Sequence, residues 1–182
     1  MHVRKFSLWI ILLAGCFFGC GNAPDCQKQD DAAIQVCFSP GGDCTKFIED
    51  VIAKAERAIL VQAYYFTSFP IADALIQAHQ KGIYVHILID SSQLTYPHTQ
   101  MHRMAKQGIP IAIDNVAGIA HSKVMIIDNN YVLTGSFNWT RAAEYRNVEN
   151  LLLIKDEKIN QVYRKAWHNR LKYAQKAIDI SR

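Results

Sequence analysis

His121 and Lys123 stand two residues apart in the segment Ala120-His121-Ser122-Lys123-Val124-Met125-Ile126-Ile127-Asp128. Along a strand the side chains alternate between faces, so this spacing projects the imidazole and the ammonium together while Val124 and Ile126 tie the segment into a core. The pairing sets a nucleophile or base beside a fixed positive charge. Asp128 falls at the strand end, and Asn129-Asn130 has the chemistry of a tight hairpin because Asn tolerates positive φ. A return strand over residues 131–134 then carries Gly135-Ser136-Phe137-Asn138 back beside the histidine.

His121-x-Lys123, Asp128 after four further residues, Gly135-Ser136-Phe137-Asn138-Trp139-Thr140-Arg141 and Asn147-x-Glu149-Asn150 resemble, in that order, the signature of the phospholipase D superfamily. The similarity is to its single-motif branch of small bacterial endonucleases. It runs upstream through Ala63-Tyr64-x-Phe66-Thr67 and Gly82-x-x-Val85-x-Ile87-x-Ile89-Asp90, and so covers nearly everything after residue 32. The resemblance implies an α/β fold, a mixed β-sheet flanked by helices in an α-β-α sandwich. It also implies phosphodiester hydrolysis with no metal and no other cofactor.

Cleaving a phosphodiester covalently needs a nucleophile in line with the leaving oxygen, positive charge on the phosphoryl oxygens, and an acid behind the leaving group. His121 suits the first role and Lys123 the second. One imidazole cannot stand on both sides of the phosphorus, so a single motif predicts a two-fold homodimer with both His121 side chains in one cleft. By the resemblance, one His121 becomes a phosphohistidine while the other protonates the leaving oxygen and then activates water. It also implies that Glu149 hydrogen-bonds a ring nitrogen and fixes its tautomer, that Lys123 and Asn138 hold phosphate oxygens, and that Ser136 lines the site. Asp128 belongs to the same catalytic signature, with a more structural role. Taken singly, Ser136 and Asn138 could merely close a turn and Glu149 could be a surface carboxylate.

The expected substrate is DNA, with RNA as a further one, cut with little sequence preference. The same residues serve a phospholipase D or cardiolipin hydrolase equally well, and a third reading is a nucleic-acid-binding surface protein that aids DNA uptake.

Strands alternating with helices must position these groups. A strand is expected over residues 34–38, then a helix capped by Asp43 with Phe47, Ile48, Val51 and Ile52 on one face. Residues 58–66 form an apolar β-rich run; Ser68 and Pro70 open a helix that Gly82 stops. A strand over 84–90, a helix over about 96–107, a strand after Gly108, a late strand over 147–154 and a final helix over 156–178 complete the order.

The chain has 182 residues, half of them apolar, enough for one well-packed domain. Arg4 and Lys5 precede an apolar run and then Leu13-Ala14-Gly15-Cys16, which resembles a bacterial lipobox with Cys16 as the lipidated residue. An uncleaved anchor and cleavage without lipid are the alternatives; all three place residues 32–182, the expected catalytic domain, outside the cytoplasm at or near a membrane. Residues 17–31 read as a tether.

Cys20, Cys26, Cys37 and Cys44 suggest disulfides in an exported protein, and the turn-rich loop between Cys37 and Cys44 makes that pair the natural one. The net charge of +4 favours a polyanionic partner, with Arg141 and Arg146 as candidate phosphate contacts. The basic residues of the final helix read as a solvated face. Tyr64, Tyr65, Phe66 and Phe69 read mostly as core, with Tyr64 or Phe69 as a candidate to stack on a base of single-stranded nucleic acid, and His98 and His102 are expected as surface histidines rather than metal ligands.

Overall fold

The computed structural model describes residues 33–176. The proposed signal with Cys16, the tether, and Cys20 and Cys26 lie outside them.

The described residues form eight strands and five α-helices. The strands are β1 (Ile34–Ser39), β2 (Ala58–Ala63), β3 (Tyr84–Asp90), β4 (Ile111–Asp114), β5 (Val124–Ile127), β6 (Tyr131–Gly135), β7 (Glu149–Lys155) and β8 (Gln175–Lys176). The helices are α1 (Cys44–Ala53), α2 (Phe69–Gln80), α3 (Met101–Lys106), α4 (Arg141–Tyr145) and α5 (Glu157–Leu171). All eight strands join one mixed sheet in the order β1-β7-β6-β5-β2-β3-β4-β8. β2, β3 and β4 run parallel, and every other pairing is antiparallel.

Period-two alternation divides the central strands between two cores. Ile59 and Val61 of β2, with Val85, Ile87 and Ile89 of β3, pack against Phe47, Ile48, Val51 and Ile52 of α1, Ile71 and Leu75 of α2, and Met101 and Met104 of α3. Leu60, Leu88, Val124, Ile126 and Val132 face the other way, onto Trp167 of α5 with Tyr163 and Leu171 beside it. Helices therefore cover both faces, which is the expected α-β-α sandwich.

Several local expectations change. The 96–107 helix shrinks to α3 because the preceding chain is held otherwise: residues Ser91–Leu94 form a 3-10 turn and Gln100 N–H donates to Phe66 O at 2.8 Å. His98 thus lies in a loop while His102 lies on α3, so the pair does not share a helix face. Asp43 precedes α1 in the left-handed region and makes no side-chain cap. Ser68 does cap α2, accepting from Ile71 N–H at 3.5 Å with Pro70 in the first turn. On α5, Trp167 is buried and Ala166 is exposed, and two cations of the face expected to be solvated are engaged. Arg170 pairs with the buried Asp114, and Arg164 donates to Asp128 O. The last expected helix stops at Leu171, and the chain returns to the sheet as β8. Cys37 and Cys44 are joined in a disulfide, with Cα atoms 5.7 Å apart.

Candidate active site

Strand direction brings the motif together. β2 and β3 run parallel, so Tyr64 and Asp90 emerge at the same end of the sheet. β5 runs antiparallel to β2 with Val124 opposite Gln62, which returns His121 and Lys123 to that end. β6 pairs Thr134 with Val124, and β7 pairs Leu151 with Gly135, so Ser136, Asn138 and Glu149 arrive there too. Clefts at the carboxyl ends of parallel strands are where open α/β sheets hold their ligands.

β5 starts only at Val124, so His121 and Lys123 sit in the extended lead-in rather than inside the strand. The imidazole is exposed, and its ring lies 4.7 Å from the Tyr64 ring, centroid to centroid. Lys123 is 5% exposed; its Nζ donates to His121 O at 2.6 Å and lies 5.2 Å from the Tyr64 centroid. Burial lowers the Lys123 pKa from its ordinary value, against the opposing pull of the Glu149 carboxylate. The ammonium is thus poorly solvated, and a phosphoryl oxygen can supply the charge partner that water does not.

Glu149 accepts from Asn147 Nδ2 at 2.9 Å. The expected hydrogen bond from the His121 ring to Glu149 is not made among the described residues; the carboxylate influences Lys123 instead. Ser136 Oγ accepts from Asn150 N–H at 3.1 Å, and the Ser136 and Phe137 amides both donate to Asn150 O. Gly135 permits this approach, because a Cβ there would stand 2.3 Å from Asn150 O. Asn138 is half-buried, and its Oδ1 has no hydrogen-bond partner, leaving the amide uncommitted to the fold.

Asp128 is the motif residue the structure removes from the reacting groups. It closes β5 at the opposite end of the sheet, in the left-handed region that the asparagines were expected to occupy. Its carboxylate accepts from the amides of Glu56, Arg57 and Ala58 at 2.8–2.9 Å, pinning the start of β2. A side chain holding three backbone donors there cannot also touch a phosphate at the His121 end.

Asp90 is the residue that sequence reasoning missed, although it ends one of the matching stretches. It is 2% exposed and accepts from Ala120 N–H at 2.7 Å and from Ser92 N–H at 2.9 Å. Burial pushes its carboxyl up, but the Ser92 and Ala120 hydrogen bonds and the nearby His121 outweigh that and leave the pKa below its ordinary value. It anchors the residue immediately before His121. Its place at the end of a strand in the parallel half of the sheet was the available signal.

Residues 48–172 match the family described as cardiolipin synthase, PLD-like domain. The chain belongs to the phospholipase D superfamily. It is a phosphodiester hydrolase of that superfamily. It is 44% identical over 137 residues to a phospholipase D of Rickettsia conorii, covering 75% of this chain and 68% of that one. It is 32% identical over 122 residues to the mitochondrial cardiolipin hydrolase of Chlamydomonas reinhardtii, of which it spans 55%. The crystal structure of Nuc from Salmonella typhimurium, a phospholipase D family member, superposes with a TM-score of 0.76 at 35% identity, covering 79% of this chain and 97% of Nuc.

Proposed function

We propose that this phospholipase D superfamily member is a metal-independent, non-specific endonuclease acting on DNA, and on RNA as a further substrate, through a covalent phosphohistidine. The observation that carries the chemistry is the exposed His121 imidazole beside a buried, underpaired Lys123 ammonium at the carboxyl end of the parallel strands. A His121 nitrogen attacks phosphorus, the P–O bond to the leaving oxygen breaks, and a second imidazole gives that oxygen its proton. The same imidazole then takes a proton from water, whose oxygen displaces His121 from phosphorus. Lys123 and Asn138 hold the non-bridging oxygens, and Ser136 lines the site.

The second imidazole has to come from a second copy of the chain, so the reading includes a two-fold homodimer sharing one cleft. Overlap with 97% of Nuc, from the branch whose motif this chain resembles, supports nucleic acid as substrate. The lipid alternative, a phospholipase D or cardiolipin hydrolase, is favoured by the names of the Rickettsia and Chlamydomonas relatives.

The reading takes the enzyme to be extracytoplasmic and lipid-anchored at Cys16. The Cys37–Cys44 disulfide supports export, since such bonds persist in oxidising compartments. Replacing Cys16 with Ser is expected to move the protein from the membrane to the soluble fraction.

The deciding experiment offers labelled DNA and cardiolipin or phosphatidylcholine vesicles in parallel, with chelator present, to wild type and His121→Ala. Cleavage of DNA by wild type alone is expected. Hydrolysis of lipid without DNA cleavage sinks the nuclease reading.

A further inference from the structure

A groove of about 930 Å³ opens between α4, the start of α2 and the loop before α3. Both of its walls lead back to the candidate active site. From the His121 ring, centroids step 4.7 Å to Tyr64, 4.3 Å to Tyr65 and 5.2 Å to Tyr96, which lines the groove. On the other wall, Asn138 is followed by the Thr140 cap of α4 and then by Arg141, Tyr145 and Arg146, all of which line it. The loops are laced together, since the Thr67 and Ser68 amides both donate to Trp139 O at 2.9 Å.

The lining has a particular chemistry. It contains Arg141, Arg146 and His98 but no Asp or Glu, and no Leu, Ile, Val or Met. Phe69 is 61% exposed and Tyr145 67% exposed, each with an arginine stacked over its ring, Arg103 at 5.6 Å and Arg141 at 5.4 Å. The Arg146 guanidinium has no partner among the described residues, and Gln100, 5% exposed and also lining the groove, has an amide oxygen with no hydrogen bond.

We infer that this groove is a track for single-stranded nucleic acid leading to His121, with Phe69, Tyr96 and Tyr145 as stacking platforms and Arg141 and Arg146 as phosphate contacts. This rests on the nuclease reading and deepens it by naming the strandedness of the substrate. An acyl chain calls for a long aliphatic lining, and Pro70, Pro97 and Ala142 are the only aliphatic side chains in this one. A duplex hides the base faces that exposed rings would stack on, whereas an unpaired strand offers a face and a charge at every step.

The test uses the full chain carrying His121→Ala, so that bound DNA is not cut. Anisotropy is measured with a labelled single strand of about a dozen nucleotides, the same length of duplex, and cardiolipin-containing vesicles. Phe69→Ala, at a position 61% exposed, is expected to keep the parent's thermal unfolding and to weaken single-strand binding about five- to tenfold and duplex binding less than about twofold. Arg141→Gln with Arg146→Gln is expected to flatten the single-strand salt dependence by about 1.4, roughly 0.7 for each lost phosphate contact.

Single-strand affinities within about twofold of the parent, or losses confined to vesicles, overturn the inference. DNA cleavage by the wild-type chain is measured alongside. If cleavage occurs and the groove variants still bind as the parent does, only the groove assignment falls. If wild type cuts no DNA, the nuclease reading falls and takes this inference with it.

Discussion

The two ends of β5 carry residues of one motif under opposite physical conditions. At the amino end, the His121 ring makes no hydrogen bond among the described residues, and Lys123 spends one of its donors on His121 O. At the carboxyl end, Asp128 is buried and its two oxygens accept from three backbone amides. The groups at the His121 end keep unsatisfied capacity, whereas most of the Asp128 carboxylate's is already spent on the scaffold. The difference shows that belonging to a motif is not the same as belonging to a reaction.

The largest expected effect lies at the amino end. Replacing His121 with Ala is expected to reduce phosphodiester hydrolysis by ~10⁴-fold or more, with thermal unfolding unchanged because the ring is exposed. Subunit mixing sharpens the point: heterodimers of wild type and His121→Ala are expected to be inactive if each cleft needs two imidazoles. Half-maximal activity from an equal mixture would count against the shared site.

Asp128→Ala is the mirror experiment. It strands three amides and is expected to cost about 3 kcal/mol of stability in urea unfolding, while the folded fraction keeps activity within about threefold of wild type. Unchanged stability together with lost activity would erase the contrast between the two ends.

The Cys37–Cys44 crosslink closes a short loop at the edge strand β1, remote in role from both ends of β5. Reduction, or the paired Ser substitution, is expected to remove ~2.5 kcal/mol by the loop-entropy estimate and to leave the rate constant of the folded enzyme unchanged.

Asp90→Asn tests an intermediate case, a buried residue that positions the active end. About a tenfold fall in kcat with little change in KM is expected, and Asp90→Glu should recover part of it. Because the folded pKa of Asp90 is lowered, its contribution to stability is present above the unfolded pKa and lost as pH falls through the folded one. The Asn variant should therefore show a weaker loss of stability on acidification. Lys123 gives the same sign in an alkaline window: its lowered pKa makes stability rise with pH between its folded and unfolded values as the buried charge is lost, while activity that needs the ammonium falls there.

The central elements were legible because their signals are local. The strand Tyr84–Asp90 is a β-rich run bounded by Gly82, and α2 opens where Ser68 and Pro70 say it should. The loop before α3 was not legible, because its path is held by the distant backbone of Phe66 through Gln93 and Gln100. Asp43 looked like a helix cap and is a left-handed turn residue instead. Asp90 was passed over because nothing near it in sequence shows that its carboxylate meets Ala120, thirty residues away.

By itself, the order of residues determined the family and the pairing of His121 with Lys123, since a two-residue spacing needs only an extended backbone to put both groups on one side. It also determined that one motif supplies one imidazole. Strand direction and register, which depend on long-range hydrogen bonding, decided the rest. They carried Tyr64, Asp90, Ser136, Asn138 and Glu149 to the His121 end, and they left Asp128 at the other, where three backbone amides engage its carboxylate.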